Sequence, residues 1–343
     1  MSLSVIIRSK DEADRLRLTL ASLSRQTAPA EVVVVDDGSS DHTQGVLAEA
    51  GKMLPLVVVR HDAAKGRSAA SNAGARAASG EVLLFLDGDT LAGPELVERH
   101  LARHAETVGL VGRGETWHLR CTRFLADPET GAPRPGEEAR IERLSTDERA
   151  RMRITRDQVM HDFAAIHARA EPGIYPGAGP RRLYETEMQA LRNQPDCTLL
   201  WAAASGSNQS VDRDAFIEVG GFDEQLDIYE QRELALRLCQ AGGRMGAVDG
   251  ARSYHLTHRS GWRDPLADPR WEMLFYAVHP IPAVKLLAVF WATLGAGRGL
   301  ADDERIGSLA ELEIAARGGT GIDYDAVRQR LGLPALGDAR APA

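Results

Sequence analysis

The chain has 343 residues, of which 43% are hydrophobic and 26% are charged, a composition typical of a globular protein with a large core. Its 49 acidic and 41 basic residues give a net charge of −8, which argues against a general nucleic-acid-binding surface. The three cysteines, Cys121, Cys197 and Cys239, are far apart and show no metal-type spacing. We therefore expect a reducing compartment and, because no signal-like segment opens the sequence, a cytoplasmic protein.

The first 110 residues alternate between strand and helix patterns. Apolar runs predict strands at 4–7, 32–35, 56–59 and 82–86, and helical spacing predicts helices from Ala13, over 68–78 and after Gly93-Pro94. This alternation predicts right-handed crossovers and an α/β fold with a Rossmann-like, mostly parallel sheet flanked by helices. Ligands of such sheets bind beyond the carboxyl ends of the strands.

The pattern is weaker from 112 to 195, which we interpret as an insertion in which 146–170 is predicted to be helical. A helix is predicted over 230–241, and a frayed tail from about Leu336. The apolar stretch from Ile281 to Leu294 is too short to span a bilayer, so we expect no transmembrane span. It is expected to be a buried helix, with contact to a membrane surface as the alternative.

Two predicted strands end in acidic residues. Asp87-Gly88-Asp89 follows the fourth strand, and Asp36-Asp37 follows the second. Carboxylate oxygens suit Mg²⁺ or Mn²⁺, which bind carboxylates together with substrate phosphates. A solvated turn is the alternative interpretation of each pair.

A small basic cluster precedes the predicted helix over 68–78. Lys65 and Arg67 flank Gly66, and Asn72 lies on the helix that follows. Positive side chains and a helix N-terminus together favour binding of a diphosphate. A solvated basic loop is the alternative.

These segments together resemble the family 2 glycosyltransferases and their GT-A fold. The resemblance covers the first 95 residues and resumes at Gly206. The matching segments are 4–12 (SVIIRSKDE), 34–43 (VVDDGSSDHT), 65–67 (KGR) with 71–74 (SNAG), 78–82 (ASGEV), 85–89 (FLDGD), 206–208 (GSN), 211–216 (VDRDAF), 219–224 (VGGFDE) and 230–234 (EQREL).

The resemblance implies roles for individual residues. Nucleotide-sugar binding is implied for Arg8, Asp11, Glu12, Asp36, Asp37, Lys65, Arg67, Asn72, Asp87 and Gly88. A Mn²⁺ or Mg²⁺ site is implied for Asp89 and His255, with Asp87. The acceptor side is implied for Trp201, Gly206, Ser207, Asn208 and His258, although a core position for Trp201 and a diphosphate contact for His258 remain open.

The catalytic base is the point at which this sequence departs from many inverting relatives. The residue after Glu230 is Gln231, where those relatives have an aspartate, and an amide cannot take a proton at neutral pH. Glu230 or Glu233 is then the base of an inverting reaction, which we favour, or the sugar is transferred with retention. The segment 230–234 also resembles the polypeptide N-acetylgalactosaminyltransferases, which have an amide at the matching position.

The predicted domains are a nucleotide-sugar-binding half (1–111), the insertion near the active site (112–195), an acceptor-side half (196–262) and a C-terminal helical extension (263–343). The predicted function is metal-dependent transfer of a hexosyl group from a nucleotide sugar, expected to be UDP-linked. The acceptor is a saccharide, a lipid-linked sugar, a peptide or a small metabolite. A catalytically impaired binding module and a nucleotidyltransferase remain open, whereas the missing Gly-x-Gly-x-x-Gly turn argues against a dinucleotide-dependent oxidoreductase.

Overall fold

The computed structural model describes residues 1–173, 181–258, 268–295 and 299–336. The end of the predicted tail, 337–343, lies outside these residues, as do parts of the predicted insertion and C-terminal extension.

The strands of the described residues are β1 (Leu3–Ser9), β2 (Glu31–Asp36), β3 (Leu56–Arg60), β4 (Val82–Asp87), β5 (Thr90–Ala92), β6 (Leu110–His118), β7 (Leu125–Asp127), β8 (Ala132–Pro133), β9 (Glu171–Pro172), β10 (Gln209–Asp212) and β11 (Arg244–His255). The α-helices are α1 (Ala13–Leu23), α2 (Thr43–Ala50), α3 (Arg67–Ala77), α4 (Leu96–Glu106), α5 (Glu138–Glu142), α6 (Thr146–Met152), α7 (Arg156–His161), α8 (Phe163–His167), α9 (Arg181–Asn193), α10 (Arg213–Glu218), α11 (Glu230–Gln240), α12 (Arg270–Val278), α13 (Pro282–Gly295), α14 (Leu309–Ala316) and α15 (Tyr324–Arg330). Short 3₁₀ helices cover Arg120–Thr122, Leu200–Ala203 and Asp302–Glu304.

One large mixed sheet has the order β3-β2-β1-β4-β10-β6-β11-β5, with β9 paired to β6. Its first four strands are parallel, as the alternating pattern predicts. Strand β10 runs antiparallel to both β4 and β6, whereas β11 runs parallel to β6. The predicted α/β fold class is confirmed, with antiparallel strands added beyond β4.

Both faces of the sheet are covered, because successive residues of a strand point to opposite faces. Ile6 and Phe85 pack in a cluster with residues of α9, α11, α13 and α14. Val5 and Ile7 pack on the other face against α1, α2 and α4. This burial explains why the parallel strands are apolar throughout rather than alternating.

The predicted helical stretch over 146–170 is three short helices in the structure. The chain is extended at Arg153, which ends α6. Thr155 then forms a capping box that starts α7, and the Asp162 side chain caps α8. These local caps compete with one continuous helix.

The C-terminal extension is helical in its described part, α12 to α15, and packs into the main core. The apolar stretch of α13 is buried there, with Val284, Leu287 and Phe290 fully covered. Across the described ranges, the helices all fall short of the length and apolarity needed to traverse a bilayer.

Candidate active site

The acidic strand ends lie at one edge of the sheet. Strand β1 pairs with β2 on one side and with β4 on the other, so that Ser9 is opposite Asp36 and Arg8 is opposite Asp87. The Asp37 backbone N–H donates to the Ser9 carbonyl at 2.9 Å, and the Gly88 N–H donates to the Arg8 carbonyl at 3.2 Å. The two pairs of aspartates therefore leave the sheet on either side of the end of β1.

Asp89 lies at the centre of this edge, between two histidines. Strand β11 pairs with β5 so that His255 is opposite Thr90, and the Leu256 N–H donates to the Asp89 carbonyl at 2.8 Å. His255 Nδ1 is 3.2 Å from Asp89 Oδ1, and His258 Nε2 is 2.7 Å from Asp89 Oδ2. The end of β11 and the residues after it thus bring the imidazoles of His255 and His258 to the carboxylate of Asp89, which directly precedes β5.

This cluster has a strong electrostatic signature. Burial alone would raise the pKa of Asp89, but the charge and hydrogen bond of His255, together with His258, hold that pKa well below its usual range. Burial alone would lower the pKa of His255, but Asp89 outweighs it and raises the pKa. The carboxylate therefore stays ionised despite its burial.

One ligand atom from each of Asp89, His255 and His258 lies within 4.8 Å of the others, which is compatible with binding a single metal ion. One carboxylate oxygen and two imidazole nitrogens suit Mn²⁺ better than Mg²⁺. The structure places His258, expected on the acceptor side, directly in this group. Asp87, expected as a further ligand, is turned toward Arg8 instead.

Arg8 joins the acidic strand end to helix α11. Its Nε donates to Asp87 Oδ1 at 3.0 Å, and its Nη1 donates to Glu230 Oε1 at 2.9 Å. Glu230 is the first residue of α11 and is only 2% exposed. Burial alone would lower the pKa of Arg8, but the two carboxylates raise it further above its usual range. The expected nucleotide-binding arginine is thus the bridge between Asp87 and Glu230.

Glu233, the other candidate base, points elsewhere. Its carboxylate accepts hydrogen bonds from Arg237 at 2.5 and 2.6 Å and from His279 Nε2 at 2.8 Å. Burial alone would raise its pKa, but these hydrogen bonds lower it. Arg237 in turn donates to the carbonyls of Val219 and Gly221. Glu233 therefore fixes the loop before α11, and of the two glutamates only Glu230 contacts the site arginine.

The turn after β2 is built by its own acids. Asp37 accepts hydrogen bonds from His61 Nδ1 at 2.7 Å and from the backbone N–H groups of Lys65 and Gly66 at 2.8 and 3.0 Å. Burial alone would raise the pKa of Asp37, but these bonds lower it. The side chains of Lys65 and Arg67 remain exposed. Asp37 therefore holds the basic loop beside the carboxyl edge.

Two further acids contribute to the framework of this region. Asp36 is fully buried and accepts from the Ser39 N–H at 2.9 Å and from Gln44. Asp11 has a left-handed φ of 52° and accepts from the Ser40 N–H at 2.7 Å. Both tie turns together, and their predicted contacts to the nucleotide stay predictions.

Glu12 packs closely against the backbone of Gly88. A Cβ atom on Gly88 would lie 2.3 Å from Glu12 Oε1 and 2.8 Å from Ser9 Oγ. The pKa of Glu12 is raised well above its usual range, first by burial and then by the charge of Asp89. Glycine is therefore required at this position to admit the Glu12 carboxyl group beside the Asp89 cluster.

Three expected contact residues are buried in the framework. Asn72 accepts from the Phe222 N–H at 2.8 Å and donates to Phe222 O and Glu224 Oε1, which uses its whole amide. Asn208 is fully buried and donates to the Ala251 carbonyl at 2.9 Å. Trp201 is 2% exposed, so it occupies the core position left open by the sequence.

Gly206 and Ser207 are half-buried near the site. A Cβ on Gly206 would lie 3.5 Å from the Gln231 side chain and 3.7 Å from Arg8 Nη2. Gln231 therefore lies beside the Arg8 bridge although it cannot act as a base.

Two site residues escaped the sequence analysis. His61 contacts Asp37, and Arg15, which is buried, donates to the carbonyls of Leu125 and Ala126 at 2.7 and 2.9 Å. Arg15 could have been recognised from the sequence, because it lies on the core-facing side of the predicted helix α1 and an arginine is rarely buried without partners. His61 had no comparable signal, since it follows an exposed edge strand.

Comparison with known proteins identifies the class to which this fold belongs. Over 96% of the chain, the structure resembles S. aureus TarS in complex with UDP-GlcNAc, with a TM-score of 0.58, 16% identity and 83% of that chain covered. It also resembles the mannosyltransferase PcManGT of Pyrobaculum calidifontis in complex with GDP-Man and Mn²⁺, with a TM-score of 0.50, 16% identity, and 96% and 72% of the two chains covered. At these identities the likeness defines the fold, which is GT-A.

The sequence comparison gives the family. Residues 4–117 match the model of glycosyl transferase family 2. The glycosyltransferase YfnE of Bacillus subtilis is 28% identical over 257 residues, which is 71% of this chain and 61% of that protein. The validoxylamine A glucosyltransferase of Streptomyces hygroscopicus subsp. jinggangensis is 43% identical over 107 residues, 30% of this chain and 25% of that protein. The resemblance recognised in the sequence is thus confirmed, and residues 4–117 are a family 2 glycosyltransferase domain.

Proposed function

We propose that this protein transfers a sugar from a nucleotide-sugar donor to an acceptor hydroxyl at the carboxyl edge formed by β1, β2 and β4. The proposal rests on one observation: a set of possible metal ligands and a buried glutamate lie close together at this edge. Asp89 with His255 and His258 forms a cation-binding set, and Glu230 lies next to it through Arg8 and Asp87. A UDP-linked donor is proposed, because the related fold of TarS binds UDP-GlcNAc.

The chemistry of the donor set fits a resident Mn²⁺ ion. Asp89, His255 and His258 would hold it, leaving positions for phosphate oxygens. When bound, the ion would supply Lewis-acid stabilisation of the negative charge that develops on the departing diphosphate. Because the pKa of Asp89 is held well below its usual range, its carboxylate need not lose a proton to serve as a ligand.

The protein's own residues supply the rest of the donor site. Asp37 holds the Lys65–Arg67 loop through the backbone N–H groups of Lys65 and Gly66. The exposed side chains of Lys65 and Arg67 are then available to neutralise diphosphate, together with the N-terminus of α3 that begins at Arg67. Gly88 lets the chain approach Glu12 closely, which keeps the Glu12 carboxyl beside this site.

Glu230 is the proposed general base. It lies at the start of α11 and accepts a hydrogen bond from Arg8 at 2.9 Å, whereas Glu233 is held by two bonds from Arg237 and one from His279. A base at this position would remove the proton from the acceptor hydroxyl as the donor bond breaks on the opposite face, giving inversion.

A nucleotide-sugar screen tests this proposal. The melting temperature of the full chain is measured with UDP- and GDP-linked sugars, each with and without Mn²⁺, followed by release of nucleoside diphosphate. We expect a rise in melting temperature that requires both ligands, and slow donor hydrolysis even without acceptor. The matched variant Asp89→Asn should lose the Mn²⁺-dependent part of the rise.

Other outcomes separate the alternatives. Donor binding without any turnover would identify an impaired binding module. Consumption of a nucleoside triphosphate with release of inorganic diphosphate would identify a nucleotidyltransferase. An unchanged melting temperature with every nucleotide sugar would overturn the proposal.

A further inference from the structure

A buried cluster of three charged residues lies behind the beginning of α11. Glu187, on helix α9 of the insertion, accepts hydrogen bonds from Arg113 Nη1 at 2.5 Å and from Arg232 Nη2 at 2.8 Å. Glu187 is fully buried, and Arg113 and Arg232 are 1% and 4% exposed. The three residues come from β6, α9 and α11, so they tie the insertion to both the sheet and the helix that carries Glu230.

Arg232 is fixed on several sides. Its Nε donates to the Ala202 carbonyl at 2.8 Å, and its guanidinium lies 4.5 Å from the centre of the Tyr229 ring. The Tyr229 ring also stacks on Trp291, with ring centres 4.1 Å apart. The guanidinium is therefore a junction between the insertion and the residue that precedes α11.

Tyr229 has a left-handed backbone with a φ of 63°, a conformation that is strained for a residue other than glycine. Such a conformation persists only where neighbouring contacts determine it. Here the contacts from Arg232 and Trp291 lie immediately before Glu230. The backbone that aims Glu230 at Arg8 is thus held in place by the cluster behind it.

A buried ion cluster is poor evidence for stability, because well-packed apolar side chains in its place are often equally stable or more so. Two guanidinium groups that bind one carboxylate do, however, fix the orientation of the side chains that carry them, because each guanidinium has a planar array of donors. The arrangement is suited to orienting the first turn of α11 rather than to strengthening the core.

We infer that Glu187 is a positioning residue that acts through Arg232 to orient the first turn of α11 and thereby place Glu230 at the active site. The inference rests on the proposed function and assigns a mechanistic part to helix α9 of the insertion. A misplacement of about 1 Å between reacting groups is enough to reduce turnover ~100-fold.

The variant Glu187→Gln tests this inference in the full chain. It keeps the shape of the side chain and one acceptor while removing the charge that holds both arginines. We expect kcat for donor turnover to fall ~10- to 100-fold, with KM for the donor within about twofold of the wild type. The donor should be unaffected because Lys65, Arg67 and the Asp89 cluster lie outside the contacts of Glu187.

The variant Glu272→Gln is the matched control. Glu272 is also fully buried, but its carboxylate accepts hydrogen bonds from the buried Arg328 of α15, so the charge removed from it does not hold Arg232. We expect both variants to melt at lower temperature, but Glu272→Gln should keep the kcat of the folded enzyme. Equal kcat in the two variants would overturn the inference and leave the proposed function intact.

A double-mutant cycle with Glu230→Gln separates positioning from a general loss of structure. If Glu187 acts through Glu230, its replacement has little further effect on kcat once Glu230 is already replaced. Independent effects that multiply would overturn the inference. If Glu187→Gln does not fold, Arg232→Lys keeps the charge but loses the second donor arm, and the same cycle applies. A wild type without turnover of any nucleotide sugar would refute the proposed function itself and the inference with it.

Discussion

Glu230 and Glu233 offer a direct comparison, because both are buried in the first turn of α11 yet have different partners. In Glu230→Gln, the charge-assisted bond from Arg8 becomes a neutral one while Arg8 keeps Asp87. Such bonds contribute about 1.5–3 and 0.5–1.5 kcal/mol respectively, so the free energy of unfolding should fall by about 1–2 kcal/mol. As general base, Glu230 should contribute ~10²–10⁴-fold to turnover.

Glu233→Gln has the opposite profile. It weakens the contacts to Arg237 and His279, so we expect a loss of about 2–4 kcal/mol in the free energy of unfolding. Its kcat per folded molecule should stay within a few-fold of the wild type.

The assay is the release of nucleoside diphosphate with saturating donor and acceptor, alongside urea unfolding and calorimetric donor binding. Glu230→Gln should lose kcat while donor affinity stays within about threefold. If Glu230→Gln retains more than a tenth of wild-type kcat and Glu233→Gln does not, the assignment of the base is wrong. Retention of anomeric configuration in the product would contradict it independently.

Three further predictions follow from individual contacts. His258→Ala and His255→Ala should each weaken Mn²⁺ binding at least ~10-fold, as measured by calorimetry. His61→Ala, which removes a histidine outside the cluster, should leave Mn²⁺ binding unchanged. Equal effects of all three variants would contradict the assigned ligands. Gly88→Ala should lower the free energy of unfolding by about 1–3 kcal/mol and reduce turnover, because the added Cβ would clash with Glu12. The control is Gly45→Ala on α2, where a Cβ would have no neighbour within 4 Å and the change should be neutral or stabilising. A neutral Gly88→Ala would show that Glu12 is not confined beside Gly88. Burial lowers the pKa of His100 to about 4, so between pH 6.5 and 4 the unfolded chain binds a proton at this histidine that the folded chain does not bind. The free energy of unfolding should therefore fall by up to about 1.4 kcal/mol per pH unit as the pH is lowered through that range. In urea unfolding, His100→Gln should make this fall shallower, and an unchanged slope would refute the prediction.

The parallel half of the fold was predictable because its signals are local. Four apolar runs give β1 to β4, and the acids that end β2 and β4 necessarily share an edge once β1 lies between them. The short strand β5 and the long strand β11 were not predicted, since three residues and an irregular register carry little periodicity. Their pairing is what brings His255 to Asp89.

Site residues were predictable where a short motif carries them, but their partners were not. Asn72 finds Phe222 and Glu224 about 150 positions away, and Glu233 finds His279 46 positions away. A single sequence gives no information on such pairs. The acids near Asp89 and Glu230 therefore looked alike in sequence, although some build the framework and others are available for chemistry.

The central claim is that Asp89, His255 and His258 hold a divalent cation that also meets the donor diphosphate. Pulsed electron paramagnetic resonance of Mn²⁺ with UDP measures it directly, through coupling to nitrogen and phosphorus nuclei. We expect couplings to two imidazole nitrogens, reduced to one in either His255→Ala or His258→Ala, together with phosphorus coupling that appears only with UDP. Mn²⁺ bound with UDP but without any protein nitrogen coupling would contradict it.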